Sequence, residues 1–204
     1  MIEIKHPEQP LFIMLVGVAA SGKSMFANEH LLPWLRSQGR EAVVISKDKR
    51  RNEATVDQGI TFEQFQQSRE NITEIETALK NEILEAAQAK KDIILDRVNS
   101  TVKYRRVTME SVPDTYRKIA IIFEPRDLGL LFMRSLGRDS AKIKEGKVPY
   151  LIPVRSIKQK LDKLQLPTRS EGFDEILTVS FEQDSSLETP APTPKRQNPE
   201  DLSR

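Results

Sequence analysis

Short apolar runs recur along the chain, separated by longer stretches in which apolar residues return every three or four positions. The runs are Leu11–Val16, Ala42–Ile45, Ile93–Leu95, Ile119–Phe123 and Ile176–Val179, all rich in Ile, Val and Leu. Continuous rather than alternating apolarity marks a strand buried on both faces, the condition of a parallel sheet covered by helices. Phe62, Phe65, Ile72, Ile75, Leu79, Ile83 and Ala86 line one face of a long predicted helix. Val154, Ile157, Leu161 and Leu164 line a later one, with Arg155, Lys158, Lys160 and Lys163 largely outward. Strand and helix in alternation predict an α/β fold, a doubly wound, mostly parallel five-stranded sheet with right-handed crossovers. The pattern stops near the end. Residues 184–204 hold several prolines, mixed charge and hardly any large apolar residue, so a disordered tail is expected behind a domain over residues 1–183.

Composition narrows the picture modestly. The chain has 204 residues, enough for one domain with a sizeable core, and a net charge of +2 that does not by itself mark a nucleic-acid binder. It contains no cysteine, which excludes disulfides and thiolate metal sites and is compatible with a reducing cytoplasm. Leu11–Ala20 superficially resembles a secretory signal, but Glu3 and Glu8 accompany Lys5 ahead of it, so the basic lead-in is missing. The run is also far short of the ~20 residues that span a bilayer. A soluble, cytoplasmic protein without membrane attachment is the expectation.

The first run leads into Gly17-Val18-Ala19-Ala20-Ser21-Gly22-Lys23-Ser24, a glycine, four residues, then Gly-Lys-Ser. In such a phosphate-binding loop the two glycines allow tight turns, so that the amides around Ala20 and Ser21 aim inward at a phosphate. Lys23 supplies a point charge for the β- and γ-phosphates, and the Ser24 hydroxyl can ligate Mg2+. A helix following at Met25–Leu35 adds the positive end of its dipole. Strand, loop and helix together identify an ATP and magnesium site in a P-loop NTPase fold.

Three further features decide among P-loop proteins. Ile93-Ile94-Leu95-Asp96 ends a strand in a carboxylate placed to steady magnesium. Arg97 follows it where ATP-driven motors commonly carry a water-activating glutamate, which favours transfer to an acceptor over hydrolysis. Asp48 and Arg51 lie just past the strand Ala42–Ile45, at the sheet edge where open α/β proteins bind ligands. A carboxylate there can take a proton from an acceptor hydroxyl while an arginine grips an acceptor phosphate. Arg134 and Arg138 stand four apart on a predicted helix, followed by Lys142, Lys144 and Lys147 between bends at Gly146 and Pro149. A basic lid closing on the site would stabilise charge on the moving phosphoryl group.

This order of motifs resembles the kinase module of bacteriophage-type polynucleotide kinases over roughly residues 11 to 180. Asp48 and Arg51 match that family's Asp-x-x-Arg, Asp96 and Asn99 its Asp-x-x-Asn, and Arg134 and Arg138 its lid arginines. Ile152-Pro153 matches its Val/Ile-Pro helix opening, and Leu166-Pro167-Thr168 through Glu171-Gly172-Phe173-Asp174 its approach to the final strand. The resemblance implies transfer of the ATP γ-phosphate to the 5′-hydroxyl of RNA or DNA. Asp48 would be the general base, Arg51 the contact to the acceptor phosphate, and a polynucleotide 5′-end the partner. Asp96-Arg97-Val98-Asn99 departs from the family's frequent Asp-Asn-Thr-Asn, and the Asp-x-Asp-x-Thr motif of fused phosphatase domains is missing, so kinase activity without phosphatase activity is expected. Two alternatives stay open, a kinase of a nucleoside, nucleotide or other small metabolite, and an ATP-dependent binding protein without phosphotransfer. His6 and His30 have no metal-ligand spacing, Trp34 is expected to pack, and Tyr104, Arg105 and Arg106 suit either a strand-binding groove or a helix face.

Overall fold

The computed structural model describes residues 8–60, 62–124, 127–145 and 152–179. The expected tail at 184–204, and Gly146, Lys147 and Pro149 of the basic segment, lie outside them.

Five strands form one all-parallel sheet, β1 (Leu11–Val16), β2 (Ala42–Ser46), β3 (Asp92–Asp96), β4 (Arg117–Phe123) and β5 (Glu175–Val179), in the order β2-β3-β1-β4-β5. All five fall on the predicted runs, and the sheet is parallel throughout rather than mostly so. β1 sits in the middle, and its side chains alternate between two cores as strand geometry requires. Phe12, Met14 and Val16 enter one core with Ile75, Leu79 and Ile83, whereas Leu11, Ile13 and Leu15 enter the other with Ala27, Leu31 and Leu35. Helices thus cover both faces.

The strands run slightly beyond their apolar runs because buried polar ends are satisfied. Asp92 accepts from the Leu11 amide at 2.8 Å and from Arg40 Nη2 at 2.7 Å, tying the start of β3 to β1. The helices are α1 (Lys23–Met25), α2 (Leu32–Ser37), α3 (Lys47–Asp57), α4 (Phe62–Gln67), α5 (Arg69–Gln88), α6 (Val102–Met109), α7 (Leu128–Lys144) and α8 (Val154–Asp162).

Two helices differ from the prediction. The long helix expected from Phe62 to Ala86 is broken into α4 and α5 at Ser68, whose hydroxyl accepts from the Asn71 amide at 3.2 Å as an N-cap. The helix after the phosphate-binding loop runs through a widened π segment, Phe26–Leu31, between α1 and α2. Pro33 explains the widening, since it has no amide to donate and its ring crowds the carbonyl one turn back. A third, small core of Val18, Leu131 and Ile157 fastens the loop to α7 and α8. Among the described residues no helix is long and apolar enough to cross a membrane.

Candidate active site

The Gly17–Ser24 loop joins β1 to α1 at the carboxyl edge of the sheet. Gly17 is required by space, because a Cβ there would stand 3.0 Å from both Phe123 Cβ and Ser21 Oγ. Its amide donates to the Val98 carbonyl at 3.1 Å, so the loop is tied to the segment leaving β3. Gly22 adopts a left-handed φ of 96° immediately before α1, where a side chain would be strained. Lys23 is buried and folds back over the loop, its Nζ donating to the Val18 carbonyl at 2.6 Å and Ser21 Oγ at 3.2 Å. Burial lowers its pKa, opposed by Asp96 and Asp48. An anion in the loop would relieve that cost.

Asp96 ends β3 beside the loop. Its Oδ2 accepts from Ser24 Oγ at 2.7 Å and from Ser46 Oγ at 3.3 Å. Burial pushes the Asp96 carboxyl up, with the Ser24 hydrogen bond and the Lys23 charge opposing. Ser24 and Asp96 therefore present a hydroxyl and a carboxylate side by side, the hard oxygen donors that magnesium prefers. The loop, Lys23 and this pair fit magnesium-ATP.

Ser46 has a second task, since its hydroxyl also caps α3 by accepting from the Lys49 amide. That cap sets Asp48 in the first turn, facing a cleft of about 680 Å³. Ser24 and Asp96 line one end of the cleft together with Asp48, Arg138 and Lys142, and the cleft continues between α2 and β2 to Arg36 and Ala42. Arg138 acts on the charges of Lys23, Arg51 and Lys142, which places α7 over the loop. Burial lowers the Lys142 pKa and the neighbouring Arg138 adds to it.

The predicted residues do not all converge. Arg134 is exposed one turn earlier on α7 and does not line this cleft. Arg51 is buried behind Asp48, donating through Nη2 to its Oδ1 at 2.6 Å, and does not line the cleft either. Asn99 is buried at a left-handed φ of 49° and donates to the Leu15 carbonyl at 2.8 Å, a staple between β3 and β1. Arg105 is fully buried in a two-point ion pair with Glu171, both bonds at 2.8 Å, so of the two readings offered for it the groove is the wrong one. Trp34 packs against the core beside Leu35 as expected. The sequence pattern missed Glu76, which accepts from Lys47 and from both ends of the Arg97 guanidinium. It also missed Arg36, for which a four-residue spacing from Ser24 along one helix was the available signal.

A family profile described as AAA domain matches residues 12–167, from the first strand through the loop, Asp48, Asp96 and α7. The chain belongs to the AAA domain family. No curated protein matches it in sequence. Among solved structures it is similar to Chaetomium thermophilum Kti12 in complex with ADP-AlF3, at TM-score 0.60 and 12% identity over 86% of this chain and 92% of that one. It is similar to the Mycobacterium tuberculosis APS kinase CysC bound to AMPPNP and APS, at TM-score 0.54 and 18% identity, covering 83% and 88% of the two chains. A chain of the Pnkp1/Rnl/Hen1 RNA repair complex gives TM-score 0.56 and 19% identity over 81% of this chain and 46% of that one. These likenesses establish the P-loop NTPase-like fold.

Proposed function

We propose that the protein is an ATP-dependent kinase that transfers the γ-phosphate to the 5′-hydroxyl of a polynucleotide. The observation that carries this reading is one cleft in which Asp48 faces the Ser24–Asp96 pair beneath Arg138. Bound magnesium-ATP would bring the phosphoryl group and neutralise part of its charge. Lys23 and the loop amides hold the β- and γ-phosphates, while Ser24 and Asp96 hold the metal. Asp48, exposed to the cleft, accepts the proton of the incoming hydroxyl. Arg138, carried on α7, opposes charge on the phosphoryl oxygens in flight. Arg51 lies under Asp48 and fixes its carboxylate, a positioning role in place of the acceptor contact that the motif suggests. Arg97, paired with Glu76, occupies the position after Asp96 where ATP-driven motors commonly carry a water-activating glutamate, which supports transfer over hydrolysis.

A second reading, a kinase of a small metabolite, is favoured by the cleft's volume of about 680 Å³, within the range usual for small-molecule sites. The similarity in fold to an APS kinase is in keeping with it. Incubation of γ-labelled ATP with 5′-hydroxyl RNA, 5′-hydroxyl DNA and a nucleoside panel separates the two. Labelled oligonucleotides are the expected result. Labelling of small acceptors alone would replace the first reading with the second, and acceptor-independent hydrolysis would remove both.

A further inference from the structure

The cleft is longer than transfer to a hydroxyl requires. From Ser24 it follows one face of the helix through Asn28 and Leu32 to Arg36. Its opposite side is β2, from Ser46 at the Asp96 end to Ala42 at the far end. β2 is an edge strand and, among the described residues, pairs with β3 alone. Four strand steps span about 13 Å. Nucleotides stacked in a single strand advance about 3.4 Å each, so the length suits about four.

The far end carries a cation. Arg36 is exposed and has no ion pair among the described residues. Lys49 and Asn52 on α3 line the same channel and can meet a sugar–phosphate backbone. The one carboxylate away from the transfer end, Glu53, is already engaged by Arg50 at 3.4 Å and Lys49 at 4.0 Å. A neutral metabolite bound beside Asp48 would leave this arginine unused. A strand whose first residue sits at Asp48 would bring a later phosphate to it.

We infer that the channel between α2 and β2 is the track for the acceptor strand, with Arg36 gripping a phosphate about four nucleotides from the reacting hydroxyl. This rests on the polynucleotide reading above. It makes the enzyme a sensor of strand length, and Arg36 a specificity-determining residue remote from the chemistry.

The test measures KM for 5′-hydroxyl oligonucleotides of two to eight residues with the wild type, Arg36→Ala and Arg36→Lys. Wild-type KM falls with length and levels off at four to five residues. The ratio of the Arg36→Ala KM to the wild-type KM rises from near one at the dinucleotide to about five- to tenfold beyond that length. Arg36→Lys, which keeps the charge, recovers most of the difference. Anisotropy of a fluorescein-labelled octamer supplies a readout independent of turnover, its log K against log salt slope becoming shallower by about 0.7 in Arg36→Ala. A KM ratio equal at all lengths, or an unchanged salt slope, overturns the track while leaving the kinase reading intact. Phosphorylation of small acceptors and of no oligonucleotide overturns both.

Discussion

Arg51 reaches back one helical turn to hold Asp48, Nη2 to Oδ1 at 2.6 Å, with the arginine side chain 8% exposed and the aspartate 51% exposed. One partner is scaffold and the other faces the cleft. Burial lowers the Arg51 pKa, and the charge and hydrogen bond of Asp48 oppose it. The pair has a definite orientation, which makes its two halves separable by experiment.

Asp48→Ala should lower kcat by about a hundredfold to ten-thousandfold, the usual range for a general base, with ATP affinity nearly intact by calorimetry. Arg51→Ala should lower kcat by about a hundredfold through a misplaced carboxylate while leaving acceptor KM close to wild type. A large rise in acceptor KM instead would show that Arg51 touches the acceptor.

The two lid arginines should not be equivalent. Arg138 lines the cleft and acts on the charge of Lys23, whereas Arg134 is exposed one turn away. Arg138→Ala should cost on the order of a thousandfold in single-turnover rate, and Arg134→Ala less than tenfold. The reverse order would mean that α7 turns on closing.

Gly17→Ala places a methyl group 3.0 Å from Phe123 Cβ, in the crowded seam between the loop and the end of β4. Overpacking of this kind costs about 1–3 kcal/mol, or about 2–12 °C in Tm for a chain of this size. Nucleotide affinity should fall with it, because the methyl would also sit 3.0 Å from Ser21 Oγ. Thermal melts with and without nucleotide measure both.

The Glu171–Arg105 pair makes a prediction in pH. Burial alone would push the Glu171 carboxyl up, but the hydrogen bonds from Arg105 and the Thr168 amide outweigh it and its pKa lies below the usual value. A depressed carboxylate contributes stability that is present above its unfolded pKa and is lost as pH falls through its folded one. Melting temperature should therefore drop on acidification below about pH 4.5. Glu171→Gln should flatten that limb and cost about 3–5 kcal/mol at neutral pH, since it leaves the Arg105 charge buried and unpaired.

The sheet was legible because each strand is buried on two faces, which writes an uninterrupted apolar word such as Leu11–Val16 into the chain. The break at Ser68 was not, since the apolar period passes straight through it and only the hydroxyl cap reveals the stop. The placement of the phosphate-binding loop, Asp96 and Asp48 around one cleft was legible because backbone geometry ties such positions to fixed spacings. Which side of α3 Arg51 would take was not, because an i, i+3 spacing says that two side chains can meet but not which of them faces solvent. Arg105 was ambiguous for a related reason, its partner Glu171 being 66 positions away.

The widened turn at Phe26–Leu31 has a consequence for drift around the helix. In a regular α-helix a four-residue repeat slews about 40° per step, so the fourth member would stand a third of a circle away from the first. A looser coil takes back part of that rotation and lets Ser24, Asn28, Leu32 and Arg36 keep company along a single seam. Deleting one residue there would remove the extra member of the wide turn and restore the tighter pitch, leaving Leu35 in the core and Arg36 near the seam, whereas the same deletion from a regular stretch would swing everything downstream by about 100°.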